Sequence, residues 1–408
     1  MERFIKVNED VFYDCVQNRL VRASNSMHEE VETNACIFVP PFDNNTLTCN
    51  LKNCRKQLIL SVTENCNFRC EYCIYHEQRY VGEKNLLFMP YEVAKKAIDE
   101  FISTSSQSDE IAVCFYGGEP LVNFPLIEKC VNYIVSKNLN KKILYVVTTN
   151  ATLIDTYIAE FLYKHHFIVN ISLDGAKGVN DLYRKYVDGR PTFDDIIRGA
   201  RTLIDTNPIY WEGRLNFSCV KSPIQEYSPI LDFFEIAPYG YSVSNMVVTN
   251  YMSEILKEAW NKTRDDELQD FSGYKRMAAT EDDTILVAKY KLQQGIKGNV
   301  LCPGGYCMPL VKRTFVAANG DYHICEKIDQ IPKNAVGNVE EGMNVEKIVN
   351  LATSVLDFHN KNCKTCWAVR FCPICFAALD KFPKECEHYK NRALFFLRNI
   401  ALETKNNV

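Results

Sequence analysis

The sequence predicts an α/β protein centred on a partial (β/α)6, TIM-like barrel, on three observations. From residue 57 to about 250, short apolar strands alternate with amphipathic helices, the pattern of a parallel sheet. The helix expected from Tyr91 carries Val93, Ala94, Ala97, Ile98 and Phe101 at i, i+3, i+4 spacing, so one face packs on that sheet. The alternation lasts about 195 residues against the roughly 250 of a full eight-unit barrel, which leaves six units and an open side for a large substrate.

Residues 1–55 form a short leading segment, in which FIKVNEDVFYDCVQNRLVRAS reads as a hairpin of two β-rich runs about a polar turn. A loop is expected around Pro40-Pro41 and Asp43-Asn44-Asn45. Residues 56–250 hold the barrel, with strands at LILSV (58–62), IAVCFY (111–116), ILYVVT (143–148), FIVNISL (167–173) and LNFSCV (215–220). Residues 251–298 are charged and read as a helical bridge. Over residues 299–408 the alternation stops and a Cys-, Gly- and Pro-rich domain begins.

With 408 residues the chain has room for two or three domains of roughly 100–200 residues each. A net charge of −4 leaves no basic excess to neutralise phosphates, so no nucleic-acid partner is expected. The opening MERFIKVNEDVFYDC lacks the apolar core of a signal peptide. No apolar run approaches the ~20 residues of a membrane span, and a cytoplasmic protein without a membrane partner is expected. Eighteen cysteines in a reducing compartment suit metal better than disulfides, and eleven of them fall into spaced groups. Cys15, Cys36, Cys114, Cys130 and Cys219 read as small apolar residues, and Cys49 and Cys54 as flanking a polar loop.

The first group is Cys66, Cys70 and Cys73 in CNFRCEYC. Three such close cysteines cannot all pair as disulfides. Their thiolates can hold three corners of a [4Fe–4S] cube and leave one iron open to a ligand that is not protein, or they can form a zinc or redox patch. Gly117-Gly118-Glu119-Pro120 follows the IAVCFY strand, at the strand end where parallel α/β proteins carry their chemistry. Glycines there permit close backbone approach to a ligand, and Glu119 with its neighbouring carbonyls can accept bonds from an ammonium group. Thr149-Asn150 and Ser172-Leu173-Asp174 end two further strands with polar groups.

The C-x3-C-x2-C spacing, Tyr72 before Cys73 and the GGEP stretch resemble the radical S-adenosylmethionine (radical SAM) enzymes. That resemblance implies a [4Fe–4S] cluster on Cys66, Cys70 and Cys73, with SAM on the open iron and cleaved to a 5′-deoxyadenosyl radical. It also implies SAM contacts at Gly117, Gly118, Glu119, Pro120, Thr149, Asn150, Ser172 and Asp174, and Arg184 against the SAM carboxylate. A solvated or structural Arg184 is the other reading.

Cys302, Cys307, Cys325, Cys363, Cys366, Cys372, Cys375 and Cys386 make two sets of four, enough for two more [4Fe–4S] clusters or for two zinc sites. Their order, with Gly320-x4-Cys325, resembles the SPASM extension of peptide-modifying radical SAM enzymes, except that the spacing before Cys375 is x2 rather than the usual x3. The resemblance implies one auxiliary cluster on Cys302, Cys307, Cys325 and Cys375, and another on Cys363, Cys366, Cys372 and Cys386. CPGGYCMPLVKRTFVAANGDYHICEKI is most similar to maturases of ribosomally made peptides, especially the thioether-forming sactipeptide and ranthipeptide synthases. This implies a precursor-peptide substrate, an electron donor such as flavodoxin or ferredoxin, and an oxidoreductase that installs a Cys thioether. Carbon–carbon crosslinking, formylglycine formation as in sulfatase maturases, and a non-catalytic electron-relay partner are the alternatives, the last disfavoured by the intact Cys66, Cys70, Cys73 and GGEP. Glu326, directly after Cys325, is the candidate base, against a plain surface glutamate. Tyr322 and His323 read as core. The leading segment is expected to be at most a partial leader-binding module.

Overall fold

The computed structural model of the chain describes residues 2–23, 37–38, 43–75, 86–221, 227–234, 239–245, 300–301, 308, 310–326, 328, 330, 332–372 and 384–405. The expected helical bridge lies outside the described residues. So do Cys36, Cys302, Cys307 and Cys375. The chain divides into two units: residues 1–47 with 266–308 and 346–408, and residues 48–265 with 309–345.

The leading segment forms three antiparallel strands rather than one hairpin: β1 (Phe4–Lys6), β2 (Val11–Asp14) and β3 (Arg19–Arg22). Two side-chain-built turns explain the extra strand. Asn8 accepts from the Asp10 and Val11 N–H groups at 3.0 and 2.9 Å, and Asp14 accepts from Val16 and Gln17 at 3.0 and 3.1 Å. The second turn contains no glycine or proline, and Asn18 takes its left-handed position at φ 53°. Ile37–Phe38 (β4) pairs in parallel with Val300–Leu301. The expected loop at Asp43 is instead the start of helix α1 (Asn44–Asn53), where Asp43 caps the Thr46 N–H at 2.8 Å. Cys49 therefore sits in a helix rather than beside a polar loop.

The larger unit holds six parallel strands side by side in chain order: β5 (Gln57–Thr63), β6 (Glu110–Gly117), β7 (Lys142–Thr149), β8 (Ile168–Ser172), β9 (Leu215–Lys221) and β10 (Gly240–Asn245). Helices α2 (Tyr91–Ser103), α3 (Phe124–Ser136), α4 (Thr156–Lys164), α5 (Lys177–Tyr183), α6 (Phe193–Thr206), α7 (Pro208–Trp211) and α8 (Tyr227–Phe234) return the chain between them. Strict sequential order with parallel pairing is the topology of an opened β/α barrel. As expected, α2 buries Ala94, Ala97, Ile98 and Phe101. Along β9, Leu215, Phe217, Cys219 and Lys221 are buried while Asn216, Ser218 and Val220 are half-buried, so the two sheet faces differ.

Past β5 the sheet gains two strands. Thr314–Val316 (β12, counting Val300–Leu301 as β11) pairs in parallel with β5, and Tyr322–His323 (β13) pairs antiparallel with β12. Buried Arg55 clamps this edge by donating to Thr314 Oγ1 at 3.1 Å and pairing with Glu100 at 2.5 Å. Tyr322 and His323 are buried, as expected. In the smaller unit, the long helices are α9 (Val345–Asn362) and α10 (Lys384–Lys405). Val7, Val11, Tyr13 and Cys15 pack with Phe371, Phe395, Phe396 and Leu397, so the buried face of the leading strands is already occupied by the chain's own side chains. Cys15, Cys114, Cys130 and Cys219 are buried as small apolar residues. No helix among the described residues is long and apolar enough to cross a membrane.

Candidate active site

The loops that leave the carboxyl ends of β5, β6, β7 and β8 bring together Cys66–Cys73, the GGEP stretch, Thr149-Asn150 and Asp174. This is the edge at which parallel sheets gather reactive groups, because each strand delivers one loop to the same side.

The cysteine loop is held mainly by backbone. Arg69 and Glu71 N–H groups donate to the Lys185 and Tyr183 carbonyls at 2.8 and 3.1 Å, and Val187 N–H donates to the Asn67 carbonyl at 3.2 Å. Phe68 meets Tyr186 edge-on at 5.0 Å. Within the loop, Cys73 N–H donates to the Cys70 carbonyl at 3.1 Å and Phe68 N–H to Cys66 Sγ at 3.3 Å. Burial pushes the Cys66 thiol up, with the Glu119 charge and the neighbouring Cys70 and Cys73 adding to it. Cys70 is pushed up to about 12, chiefly by burial and against the pull of Arg184.

Asp174 is the polar centre of the next layer. Its Oδ2 accepts from the Tyr72 hydroxyl and from Arg184 Nε at 2.9 Å, and its Oδ1 accepts from Val220 N–H at 2.9 Å. The Arg184 guanidinium carbon lies 5.5 Å from the Tyr72 ring centre. Arg184 is 7 % exposed, which removes the solvated reading. It is ion-paired within the chain through Nε, while its two terminal nitrogens carry no hydrogen bond among the described residues.

Glu119 also turns inward. Its Oε1 accepts from Leu121 N–H at 3.0 Å and Thr149 Oγ1 at 2.6 Å, and its Oε2 accepts from Asn150 N–H at 2.6 Å. Three of roughly four lone-pair positions of a carboxylate are thereby taken by the chain itself. Burial raises Glu119 from its ordinary range to about 7, against the lowering effect of these donors. The chain's own close packing requires glycine at both positions. A Cβ on Gly117 (φ 141°) would lie 2.2 Å from the Thr63 carbonyl oxygen, and one on Gly118 2.2 Å from that of Asn65. Gly118 and Glu119 N–H groups donate to those same oxygens at 2.9 and 2.8 Å. Pro120 opens a short 3₁₀ turn, Pro120–Asn123, and is buried. Asn150 reaches the cysteine loop, since its Nδ2 donates to Asn67 Oδ1 at 2.8 Å. Ser172 ends β8 half-buried. Asn67 was not singled out from sequence, although its place inside CNFRC was a signal. The bonds of Tyr72 to Asp174 and of Asn67 to Asn150 span residues distant in the chain and left no trace in it.

Beyond β13, Cys325 Sγ lies 3.4 Å from Glu326 Oε2, and Glu326 Oε1 pairs with Arg313 Nη2 at 2.8 Å. Glu326 is 6 % exposed, so it is not a surface glutamate. Its carbonyl accepts from the Tyr75 hydroxyl at 3.0 Å, tying it to the stretch that follows Cys73.

In the smaller unit, a cavity of about 200 Å³ is lined by Cys363, Cys366, Cys372 and Cys386, together with His359 and Tyr389. Burial raises Cys363 to about 12, and the three other thiols act on it in the same direction. His359 Nδ1 lies 3.2 Å from Cys363 Sγ, and burial lowers this histidine to about 4. His359 was not foreseen from sequence; its placement four residues before Cys363 on a helix was the available signal. Among the described residues no three His, Cys, Asp or Glu side chains gather about one metal ion. A structural zinc site draws four cysteine or histidine ligands onto one centre, with sulfur at about 2.3 Å and nitrogen at about 2.0–2.1 Å. A cubane instead takes each thiolate on a different iron, and a ring of thiols about a cavity suits it.

Residues 60–208 match the Radical SAM superfamily model. An uncharacterized protein of Methanocaldococcus jannaschii is 41% identical over 152 residues, which are 37% of this chain and 50% of that protein. The cysteine-type anaerobic sulfatase-maturating enzyme of Clostridium novyi is 31% identical over 149 residues, 36% of this chain and 39% of that one. The chain thus spans about half or less of these curated relatives. Among solved structures, anSMEcpe with bound AdoMet and Kp18Cys peptide superimposes with a TM-score of 0.63 at 22% identity, covering 87% of this chain and 100% of that one. At that identity the likeness bears on the fold alone.

Proposed function

We propose that this chain, which carries a radical SAM domain at residues 60–208, is an oxidoreductase that oxidises a residue of a peptide substrate. The observation that carries the reading is the joining of Cys66, Cys70 and Cys73 to the GGEP, Thr149-Asn150 and Asp174–Arg184 groups at adjacent strand ends. Cys66, Cys70 and Cys73 would hold a [4Fe–4S] cluster, and with SAM it would supply a carbon-centred radical able to take hydrogen from unactivated carbon. Glu119 fixes the spacing between the β6 and β7 ends, and so presents the backbone carbonyls of the GGEP loop to the SAM ammonium group. Arg184, anchored through Nε, keeps its terminal nitrogens for the SAM carboxylate. Glu326, held by Arg313, would receive the proton released when the oxidised residue forms its new bond.

A Cys thioether within a ribosomally made precursor peptide is the finer reading, and the cysteine-lined cavity supports it. Bond closure at the substrate radical sheds one further electron, which an auxiliary [4Fe–4S] cluster on Cys363, Cys366, Cys372 and Cys386 can accept. Formylglycine formation is the second reading, favoured by the sulfatase-maturating relative and by a buried Glu326 next to Cys325. Cytoplasmic placement and a flavodoxin- or ferredoxin-type electron donor accompany both.

The test is anaerobic reconstitution of the wild type and of a variant with Cys66, Cys70 and Cys73 all changed to Ala. About twelve irons falling to about eight, with 5′-deoxyadenosine formed by the wild type alone, is the expected result. Bound zinc without SAM cleavage in the wild type would sink the reading. Mass spectrometry of a Cys-containing peptide, with and without thiol alkylation, then separates the chemistries: loss of a pair of hydrogens with sulfur kept but no longer alkylated means a thioether, the same loss with an alkylatable thiol means a carbon–carbon crosslink, and loss of sulfur means formylglycine.

A further inference from the structure

His359 stands one helical turn before Cys363, and the Cys363 N–H donates to the His359 carbonyl at 2.8 Å, so the helical path runs unbroken between them. That path places both side chains on one face. The imidazole Nδ1 is 3.2 Å from Cys363 Sγ, the ring is fully buried at 0 % exposure, and the Phe358 ring meets it edge-on at 5.6 Å. His359 also lines the cavity shared by Cys363, Cys366, Cys372 and Cys386. A cysteine bound to iron is a thiolate and has no proton to give. The contact then has one direction, from Nδ1–H to Sγ. Such a bond draws negative charge from the thiolate and favours the more negative, reduced state of whatever the thiolate ligates.

We propose that His359 donates an N–H···S hydrogen bond to Cys363 and sets the reduction potential of the auxiliary cluster held by Cys363, Cys366, Cys372 and Cys386 above the value the four thiolates alone would give. This rests on the reading that those cysteines hold a cluster. His359 acts through Cys363 and touches no substrate, so it is a positioning residue that tunes an electron acceptor.

The experiment uses the full chain with Cys66, Cys70 and Cys73 changed to Ala, so that auxiliary signals are seen alone. Iron and sulfide are counted, and the reduced signals are followed by electron paramagnetic resonance during a redox titration. His359→Leu is expected to keep its iron and move one midpoint to more negative potential. His359→Asn, whose amide nitrogen can stand near the Nδ1 position, is expected to bring it back. Full iron with unmoved midpoints in His359→Leu overturns the proposal. Should that variant lose its cluster, protein labelled with ¹⁵N-histidine decides. A histidine nitrogen coupled to the auxiliary signal, and lost in His359→Asn, upholds the hydrogen bond; no such coupling rejects it. If changing Cys363 and Cys372 to Ala removes no iron, the cluster reading itself fails and the tuning role falls with it.

Discussion

The two cysteine sites are built from different forces. The Cys66–Cys73 loop has three thiols and is set in place by polar contacts: backbone bonds to Tyr183, Lys185 and Val187, the Asp174 centre and the Glu119 bonds across the ends of β6 and β7. The Cys363–Cys386 site has four thiols around a cavity and is set in place chiefly by apolar packing, with buried Arg370 donating to the Cys15 carbonyl and the Tyr13 hydroxyl. Val369 and Phe358 surround Cys363 and Cys366, and Phe371, Phe395 and Phe396 form the adjoining core. On the proposed function the first site would admit an exchangeable ligand, so it keeps one position short and orients it with directional bonds. The second would only store an electron, and four ligands wrapped in hydrophobic side chains would serve for that.

That contrast can be broken, beginning with the largest effect. Asp174→Ala leaves Arg184 buried without its partner and should cost about 3–5 kcal/mol, read by denaturant unfolding. Phe396→Ala should cost a similar ~3–5 kcal/mol in the other site, but through a cavity. The sharpening measurement is rescue by a second substitution. Adding Arg184→Met to Asp174→Ala should recover much of the loss, because no buried charge is then left unpaired, while the same change should recover nothing in Phe396→Ala. No recovery in the Asp174→Ala background would mean that the polar description of the first site is wrong.

Glu119→Gln should come next, at about 1–3 kcal/mol, because one acceptor among three donors is replaced. Its pH signature has a defined sign. Burial lifts Glu119 from 4.5 to about 7, so the native state holds more protons than the unfolded chain between those values. Stability therefore falls as pH rises through that window, and the glutamine variant should lose this slope in melts of the metal-free protein. The smallest effect, about 1 kcal/mol, is expected for Tyr72→Phe, which removes one donor to Asp174 and leaves Arg184 in place. A loss as large as that of Asp174→Ala would make Tyr72, rather than the ion pair, the main support of the layer.

Much of this architecture could be read from one dimension. The five apolar strands from LILSV to LNFSCV all appear, and the amphipathic face of α2 is buried as its spacing required. The strand Gly240–Asn245 was not legible, since GYSVSN is polar and takes its place through pairing with β9 rather than through its own hydrophobicity. Strands Thr314–Val316 and Tyr322–His323 were assigned to the C-terminal region by their cysteine context, yet they join the main sheet through β5. The leading segment gained a third strand because Asp14 and Asn18 build a turn without glycine or proline.

By itself the sequence determined the chemistry on offer: which thiols are spaced for clusters, which strand ends carry GGEP, Thr-Asn and Leu-Asp, and where alternation yields to cysteine-rich chain. Those are matters of local spacing and periodicity, and they survive in a linear string. Tertiary structure alone decided the partners. It assigned Asp174 to Tyr72 and Arg184, Glu119 to Thr149 and Asn150, and Glu326 to Arg313 and Tyr75. Each of those carboxylates is buried, and a buried charge or hydrogen-bonding group takes whichever donors the packed chain brings within about 3 Å, wherever they lie in the sequence.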